Sequence, residues 1–353
     1  DRRNGGVLAS VVAAPGPIVL QAGGQMEMCS AICTLSNRVL RIEGMADFYG
    51  GTIEVPSGEA GKIVVPSGGV LQASSTKTSA RFRCADPTCS AEMEIAGTFA
   101  QIGSSADFEL SAPLLLSGSL QVDNGSVFLP ALTMSSGTVN IGSNGTLDVG
   151  TFTLNGGELR GNGEILGDVD NVAGAVRPGA SPGQISIFGD YHQGISGLLA
   201  IEVGGLLPGS ESDYLSVSGT VDLNGTLNVI NAGYTLTGPS TLEFINSLGG
   251  ISGTFSATNI PYPGYTVQYA ASTATLIPGA SPLLVNSAND LGDGLCDTSC
   301  TLRDALLNAN SMPDADIIQF AIPAPQCTGP AGICVITPTS ALPTITASVV
   351  IDG

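Results

Sequence analysis

Glycines recur at a nearly constant spacing through the middle of the chain, and each is followed by a short run of alternating apolar residues. The segments that begin at Gly118, Gly137 and Gly157 read GSLQVDNGSVFLPALTMS, GTVNIGSNGTLDVGTFTL and GELRGNGEILGDVDNVA, so the leading glycines are 19 and 20 residues apart. Apolar residues alternate between the turns, as at Leu120 and Val122, which is the period of strands with one buried face. A repeat of about 20 residues with several short strands is typical of a parallel β-helix, or β-solenoid, in which each repeat is one coil.

Each segment also contains a second glycine turn, and Asn-Gly pairs begin at positions 124, 144, 155, 162 and 224. We expect these pairs at corners of the coil, where the backbone needs a positive φ. In isolation Asn-Gly is also a strong hairpin signal, so an antiparallel sandwich is the structural alternative. The fixed period favours the all-β parallel β-helix.

Composition and charge narrow the classes of partner. The chain has 353 residues, of which 48 are glycine and 43% are hydrophobic, so it is too apolar for a disordered protein. Its net charge is −19, and it has only 11 Lys and Arg residues to neutralise phosphates. We therefore expect no nucleic-acid partner. No apolar run is long enough for a membrane helix, so membrane insertion is not expected either.

The eight cysteines form four local pairs, which predict disulfides and an extracellular or cell-surface location. Zinc binding is less favoured because no pair has CxxC spacing. The predicted pairs are Cys29/Cys33, Cys84/Cys89, Cys296/Cys300 and Cys327/Cys334.

A distinctive stretch interrupts the repeat between residues 174 and 205. It contains PGASPG from Pro178, then Gly189-Asp190-Tyr191 and LAIE from Leu199. With these motifs, residues 140 to 280 resemble the passenger regions of bacterial autotransporter-type surface proteins. The resemblance implies an exported β-helical stalk and no particular chemistry.

One segment near the end favours a helix. In CTLRDALLNAN, Leu302, Ala305, Leu306 and Ala309 form an apolar stripe. Thr301 and Asp304 have the spacing of a capping box, with Asp in place of the preferred Glu. We predict a short α-helix near 301–310 that caps the open end of a β-helix, where unpaired strand edges would otherwise be exposed.

The same segment carries a second resemblance. Cys300-Thr301-Leu302-Arg303-Asp304-Ala305, followed by ALPTIT and VVIDG, is similar to the start of bacterial surface domains marked by a Cys-Ser-Leu-Arg-Glu-Ala motif. That family implies a right-handed parallel β-helix. The expected organisation is therefore an N-terminal segment or cap with a peripheral strand (1–44), a parallel β-helix (45–283), and the helix-capped start of a second β-helix domain (284–353).

Parallel β-helices also include polysaccharide lyases and glycosidases, so an enzyme is the main functional alternative. Glycosidases need two carboxylates across a cleft, but most acidic residues here lie beside turn glycines. Lyases need an Arg or Lys base, and Arg160 and Arg177 are about one coil apart. We expect ordinary surface positions for these arginines rather than a stacked pair. No catalytic residue and no cofactor are assigned.

A glycine-rich loop, NDLGDGLCD, is the best candidate for binding a metal. It brings oxygen ligands suited to calcium close together in the sequence, although without EF-hand spacing. The candidate ligands are Asn289, Asp290, Asp293 and Asp297.

These patterns together favour a non-enzymatic structural or adhesive β-solenoid of a bacterial surface or matrix. The expected partner is a second copy, bound end to end in a homopolymer, because open coil ends can accept a neighbour. Surface glycans and other matrix components are further candidate partners. The alternatives are a polysaccharide-acting enzyme and a monomeric carbohydrate-binding adhesin.

Overall fold

The structure is a computed structural model that describes residues 6–7, 17–21, 25–27, 32–48, 50–73, 79–101, 107–179, 182–236, 240–262, 264–279, 282–311, 316–330, 333–346 and 349–352. Strands dominate these residues, so the predicted all-β class is confirmed. The chain divides into two compact units. The first takes in 1–237, 241–261 and 268–276, and the second takes in 238–240, 262–267 and 277–353. No helix in the described ranges is long and apolar enough to cross a membrane.

The strands are short and follow one another at tight turns. In chain order, the strands up to residue 278 are β1 Gly6–Val7, β2 Ile18–Leu20, β3 Gln25–Glu27, β4 Ile32–Thr34, β5 Arg38–Ile42, β6 Met45–Asp47, β7 Gly51–Val55, β8 Ala60–Val65, β9 Val70–Ala73, β10 Ala80–Cys84, β11 Ser90–Ile95, β12 Thr98–Gln101, β13 Phe108–Leu110, β14 Leu114–Leu116, β15 Ser119–Met134, β16 Thr138–Leu154, β17 Glu158–Gly161, β18 Glu164–Asn171, β19 Ala175–Pro178, β20 Gln184–Phe188, β21 Tyr191–Gln193, β22 Leu198–Val203, β23 Tyr214–Val217, β24 Val221–Leu223, β25 Thr226–Asn231, β26 Leu242–Ser247, β27 Ile251–Gly253, β28 Ala257–Asn259, β29 Tyr265–Tyr269 and β30 Thr273–Pro278. The remaining elements are β31 Leu283–Val285, α1 Leu302–Ser311, β32 Asp316–Phe320, a 3-10 turn at Ala324–Gln326 and β33 Val349–Asp352.

Strands pair in parallel with a counterpart one repeat further along the chain, and this pairing sorts them into three series. The first series contains β2, β5, β8, β11, β14, the ends of β15, β16 and β18, and then β21, β24 and β27. The second contains β3, β6, β9, β12, the starts of β15 and β16, and then β17, β19, β22, β25 and β28. The third contains β4, β7, β10, β13, the middles of β15 and β16, the start of β18, and then β20, β23 and β26.

The predicted repeat corresponds to this register. Ser119, Thr138 and Glu158 are aligned on neighbouring strands, directly after the three glycines that define the repeat. The parallel pairing also begins before residue 45, since β2 pairs with β5 and β4 with β7. The antiparallel sandwich, which was the structural alternative, does not describe the three series, because their strands are parallel. β30 is different, because it pairs antiparallel with β26.

Apolar side chains fill the inner side of every series. In the first series the aligned inner residues are Leu40, Ile63, Met93, Leu114, Leu132, Phe152, Val169, Tyr191 and Val221, and each is almost completely buried. Alternation along each strand places the neighbouring residues on the outer side. The core is therefore continuous from one repeat to the next, and each repeat covers the apolar face of its neighbour.

A column of glycines runs along the corner between the first and second series. Each glycine carbonyl accepts a hydrogen bond from the N–H that follows the next glycine, at 2.8–3.0 Å, and the last one, Gly225, accepts from the Ala257 N–H at 3.1 Å. The glycine column contains Gly44, Gly69, Gly97, Gly118, Gly137, Gly157, Gly174, Gly197 and Gly225. The corner is too tight for side chains: a Cβ at Gly118 would lie 2.1 Å from the Gly97 carbonyl oxygen, and one at Gly137 would lie 1.8 Å from that of Gly118.

The expectation for the Asn-Gly pairs is only partly correct. Gly125 and Gly225 have positive φ, of 71° and 64°. After Asn155 the second glycine, Gly157, has the positive φ, and before Asn162 it is Gly161. Asn144 and Gly145 belong to β16 and pair in register with Asn124 and Gly125. Gly125 and Gly145 therefore share one register although only Gly125 has a positive φ, so an Asn-Gly pair does not by itself fix a turn.

The second unit is a small parallel sheet covered by the helix. β31 pairs with β32, which pairs with β33. Its core contains Leu283, Val285, Cys300, Ala305, Leu306, Ala309 and Ile318. Residues of the predicted apolar stripe thus face β31 and β32.

The predicted capping box is present at the start of α1. Thr301 Oγ1 accepts from the Asp304 N–H at 3.2 Å, and Asp304 Oδ2 accepts from the Thr301 N–H at 3.1 Å. The Gly294 N–H also donates to Asp304, at 2.8 Å. Burial opposes ionisation here, but these hydrogen bonds hold the pKa of Asp304 below its usual range. The shorter Asp is sufficient because its carboxylate is buried directly against the cap.

Thr301→Ala is expected to destabilise α1 by about 1 kcal/mol. The lost hydroxyl accepts from the Asp304 N–H at 3.2 Å and donates to Asp304 Oδ2 at 2.7 Å, whereas the backbone N–H of residue 301 keeps its bond to Asp304. Hydrogen exchange of the amides in the first turn of α1 measures this loss. Thr298→Ala is the matched control, since Thr298 is exposed and its side chain makes no cap. Equal exchange rates in the two variants would contradict the role of the box.

Candidate functional site

Arg160 and Arg177 are in-register neighbours on β17 and β19. Both approach Glu158: Arg177 Nε lies 2.9 Å from Glu158 Oε2, and Arg160 Nη1 lies 3.7 Å from Oε1. The expectation that these arginines are not stacked is therefore wrong, although both remain partly exposed. The parallel register brings them together because their strands belong to consecutive repeats.

A buried carboxyl group lies close to this arginine pair. Asp213 is only 2% exposed. Its Oδ1 accepts from the Gly183 N–H at 3.0 Å, and its Oδ2 accepts from the Glu202 N–H at 2.9 Å. Burial raises the pKa of Asp213 to about 7, while the two N–H donors and Arg177 act in the opposite direction. The loop before β23 and the turn before β20 are joined through this one side chain.

The hydrogen bonds of Asp213 and the ion pairs of Glu158 bear on whether either carboxylate could act as a general base. A general base must reach the proton that it removes. Both oxygens of Asp213 are instead occupied by backbone donors, and Glu158 is engaged by two guanidinium groups. A Cβ at Gly179 would lie 2.6 Å from Asp213 Oδ1, so backbone also closes over the carboxylate. The contacts of Asp213 are those of a group that holds a turn in place.

Three of the four candidate calcium ligands make only local contacts among their described hydrogen bonds. Asp293 accepts from the Leu295 N–H, Asp297 accepts from the Ser299 N–H, and the Asn289 N–H donates to Ser287. Within the described ranges, no group of three or more His, Cys, Asp or Glu side chains is arranged to hold a metal ion.

Asp290, the fourth candidate, binds an arginine. Arg303 Nη2 lies 2.9 Å from Asp290 Oδ1 and also donates to the Ser340 carbonyl at 3.0 Å. Thr339 donates its N–H and its hydroxyl to Asp290 Oδ2, both at 2.7 Å. Hydrogen bonds from Thr339, followed by the Arg303 guanidinium, hold the pKa of Asp290 below its usual range. Arg303 thus links α1, the glycine-rich loop and the segment near 340.

The cysteines do not all behave alike. Cys296 is bonded to Cys300 and Cys327 to Cys334, which are the pairs that the sequence predicts. Cys33 is also disulfide-bonded, and Cys29, its predicted partner, lies outside the described residues. Against the prediction, Cys84 and Cys89 are free thiols. Cys89 Sγ is directed at the Asp86 carbonyl, 3.0 Å away, instead of closing a bond. Burial, together with Cys89, raises the pKa of Cys84 to about 11.

Sequence reasoning missed a group of polar side chains inside the core. Asn171 and Gln193 are fully buried and aligned on β18 and β21, beside Tyr191. The Tyr191 hydroxyl donates to Gln193 Oε1 at 2.8 Å. Gln193 Nε2 donates to the carbonyls of Asn224 at 2.8 Å and Thr226 at 3.1 Å. We call these three residues the polar rung. The available signal was parity, because Asn171 and Gln193 lie two residues after the inward Val169 and Tyr191.

Gln193→Leu is expected to destabilise the first unit by about 3 kcal/mol, because several buried polar groups lose their partner. The urea-unfolding midpoint measures the change. Gln121→Leu is the matched control, since Gln121 points outwards on β15, and we expect a change within about 0.5 kcal/mol. A Gln193→Leu variant as stable as the control would show that the polar rung is dispensable.

The single histidine of the chain and three tyrosines between residues 262 and 269 have packing or surface positions. His192 is exposed on β21, with Nδ1 3.1 Å from Asp222 Oδ2. Tyr262 is buried and contacts Tyr265 edge to face, with ring centroids 6.1 Å apart. The Tyr269 hydroxyl accepts from the Phe255 N–H at 3.1 Å.

Comparison with known proteins found no family model that matches the chain, and no curated protein matched it either.

Proposed function

We propose that the first unit is a right-handed parallel β-helix with coils of about 20 residues, and that the chain is a non-enzymatic structural or adhesive β-solenoid of a bacterial cell surface or matrix. The observation that carries the proposal is the parallel pairing of the three series from repeat to repeat along the glycine column. A fold in which each repeat covers the next is suited to building an extended scaffold.

The contacts of the charged residues also support a structural role. Strand-borne cations pair with carboxylates on the same or an adjacent repeat, as Lys62 does with Glu94 and Arg81 with Glu109. Asp213 and Asp290 bind backbone N–H groups or Arg303. Disulfides at Cys296–Cys300 and Cys327–Cys334 fit an oxidising, extracellular location. The resemblances to autotransporter passengers and to Cys-Ser-Leu-Arg-Glu-Ala domains agree with this location.

We further propose end-to-end association into a filament. Parallel strand stacking is heterologous, so a contact that continues it does not close into a dimer. Negative-stain electron microscopy and light scattering of the purified chain test this idea. Single-file filaments that lengthen with protein concentration are expected, whereas uniform single rods at all concentrations would favour the monomeric adhesin. A density map of the filament would also give the handedness of the coil.

The stacked Arg160 and Arg177 beside Glu158 favour one second candidate, a polysaccharide-acting enzyme. Incubation with polygalacturonate and alginate, followed by ultraviolet absorbance for unsaturated products, tests lyase activity directly. No product is expected. Product formation that Arg177→Gln abolishes, without a change in thermal stability, would replace the structural proposal.

A further inference from the structure

The outer side of the third series differs from the other two in its aromatic content. Among described Phe and Tyr side chains of the three series, those that are not buried are Phe128, Phe188 and Tyr214. All three lie in the third series, on β15, β20 and β23. Phe188 is 49% exposed, although burial would be favourable for a side chain of this size. An outward aromatic on a fully paired sheet therefore needs an explanation.

Strand register arranges outer residues of the third series in two adjacent rows. Tyr214 lies outside both rows, in register with Gln184. The aromatic row is Phe128, Asp148, Leu166 and Phe188. In the other direction the same register continues from Phe128 to Glu109 and Arg81. The polar row is Ser126, Thr146, Glu164, Ser186 and Ser216. Neighbours within a row are one strand spacing apart, about 4.8 Å. Together the two rows, which we call the third-series outer face, form a ladder of rings, hydroxyls and carboxylates at regular steps.

A polar groove opens at the start of the polar row. It has a volume of about 350 Å³ and is lined by Asp107, Asn124, Gly125, Ser126, Asn144 and Thr146. Its walls offer a carboxylate, two amides and two hydroxyls, all in the first unit. Ligand sites combine such placed polar groups with aromatic or apolar surface. The groove and the rows thus supply both kinds of contact side by side.

We propose that the third-series outer face binds a neutral polysaccharide chain, which deepens the adhesive part of the proposed function and rests on it. A pyranose ring has an apolar C–H face that stacks on an aromatic ring, and an edge of hydroxyl groups that donate to carboxylates. Phe128 and Phe188 supply the rings, and the carboxylates of Asp148 and Glu164 accept hydrogen bonds from the hydroxyl groups. An extended chain that runs along the rows meets a ring at Phe128 and a second ring at Phe188, three strand spacings away.

Charge and backbone pairing exclude other occupants. Between Phe128 and Phe188 neither row contains Lys or Arg, and Asp148 and Glu164 would repel a polyuronate. The nearest cation of the aromatic row, Arg81, is paired with Glu109 at 2.7 Å. An added peptide strand needs a free sheet edge. The strands beneath the rows are instead paired on both sides within their series, so the face offers side chains only.

Affinity electrophoresis of the full chain tests the proposal with named probes: hydroxyethylcellulose, xyloglucan, galactomannan and dextran as neutral polymers, and polygalacturonate as the anionic one. At least one neutral polymer should retard the wild-type chain. Phe188→Ala should weaken that binding about tenfold, because one stacking contact is removed. Leu115→Ala is the matched control, since Leu115 is equally exposed, at 49%, on the first series. Its binding should be unchanged.

Three results would overturn the inference: no retardation by any neutral polymer, retardation by polygalacturonate alone, or equal weakening in both variants. Thermal unfolding of each variant separates lost binding from lost folding. Light scattering separates this inference from the filament proposal. Binding by a chain that stays a single rod would support the glycan face and count against the polymer. Filaments that bind no neutral polymer, or that Phe188→Ala disassembles, would refute the glycan face and leave assembly standing.

Discussion

Gly137→Ala is expected to destabilise the first unit by about 3–5 kcal/mol, which is exceptional for the addition of one methyl group. The new Cβ would overlap the Gly118 carbonyl oxygen, 1.8 Å away, and the backbone would have to move. That carbonyl accepts the Thr138 N–H at 2.9 Å, so the movement breaks the hydrogen bond that joins two repeats. The urea-unfolding midpoint of the full chain measures the effect.

Gly68→Ala separates this steric effect from backbone strain. Gly68 has the same φ as Gly137, +87°, but a Cβ there would have no neighbour within 4 Å. Its substitution should cost about 1 kcal/mol, the usual strain of a left-handed alanine. Equal destabilisation by the two variants would mean that close approach along the glycine column does not control stability.

The stability of the first unit is expected to fall as the pH rises from 4 to 7, because of Asp213. Its ordinary pKa of 3.8 is raised to about 7 by burial. Between these values the folded chain holds a proton that the unfolded chain has released, so folding is favoured at the lower pH. The contribution is complete below pH 4 and is lost above pH 7. Its size is up to about 4 kcal/mol.

Asp213→Asn removes the pH-dependent contribution of Asp213 to the free energy of unfolding, because an amide does not titrate. The variant should have a different stability at every pH, since its NH2 group faces one of two N–H donors. Unfolding free energies measured at pH 4, 5, 6, 7 and 8 give the difference between variant and wild type. That difference should change across the window and then level off. A constant difference would show that Asp213 is ionised in the fold throughout this range.

Local sequence signals predicted the parts of the fold that repeat. Gly118, Gly137 and Gly157 marked the corner, and the alternation at Leu120 and Val122 gave the correct inward side. The capping box was also predictable, because Thr301 and Asp304 are three residues apart on one turn. Such features depend on contacts between residues that are close in sequence or on a fixed period. Both can be recognised within a short segment of sequence.

Features that depend on the register of distant strands were not predictable. Arg160 and Arg177 stack because the repeat between them is short, whereas other repeats are up to 28 residues long, as from Gly69 to Gly97. When the register of β17 and β19 is unknown, the 17-residue separation of the two arginines does not show whether they are neighbours. Asn171 and Gln193 were missed for a related reason: their partners are carbonyls of the following repeats. The third-series outer face could not be predicted from composition either. A low overall content of aromatic residues does not indicate which strands carry them.

The glycine column has a consequence for how such a chain can change in length. Successive glycines are separated by as few as 17 residues, from Gly157 to Gly174, and by as many as 28, yet every hydrogen bond along the column stays within 2.8–3.1 Å. In the 28-residue repeat from Gly197 to Gly225, the residues between β22 and β23 form the surplus, and they add nothing along the stacking direction. An insertion of one whole repeat would lengthen the stack by a single strand spacing, whereas one extra residue inside a strand would turn core side chains outwards. The length of the first unit along the stacking direction therefore follows the number of corner glycines. It does not depend on the number of amino acids between them.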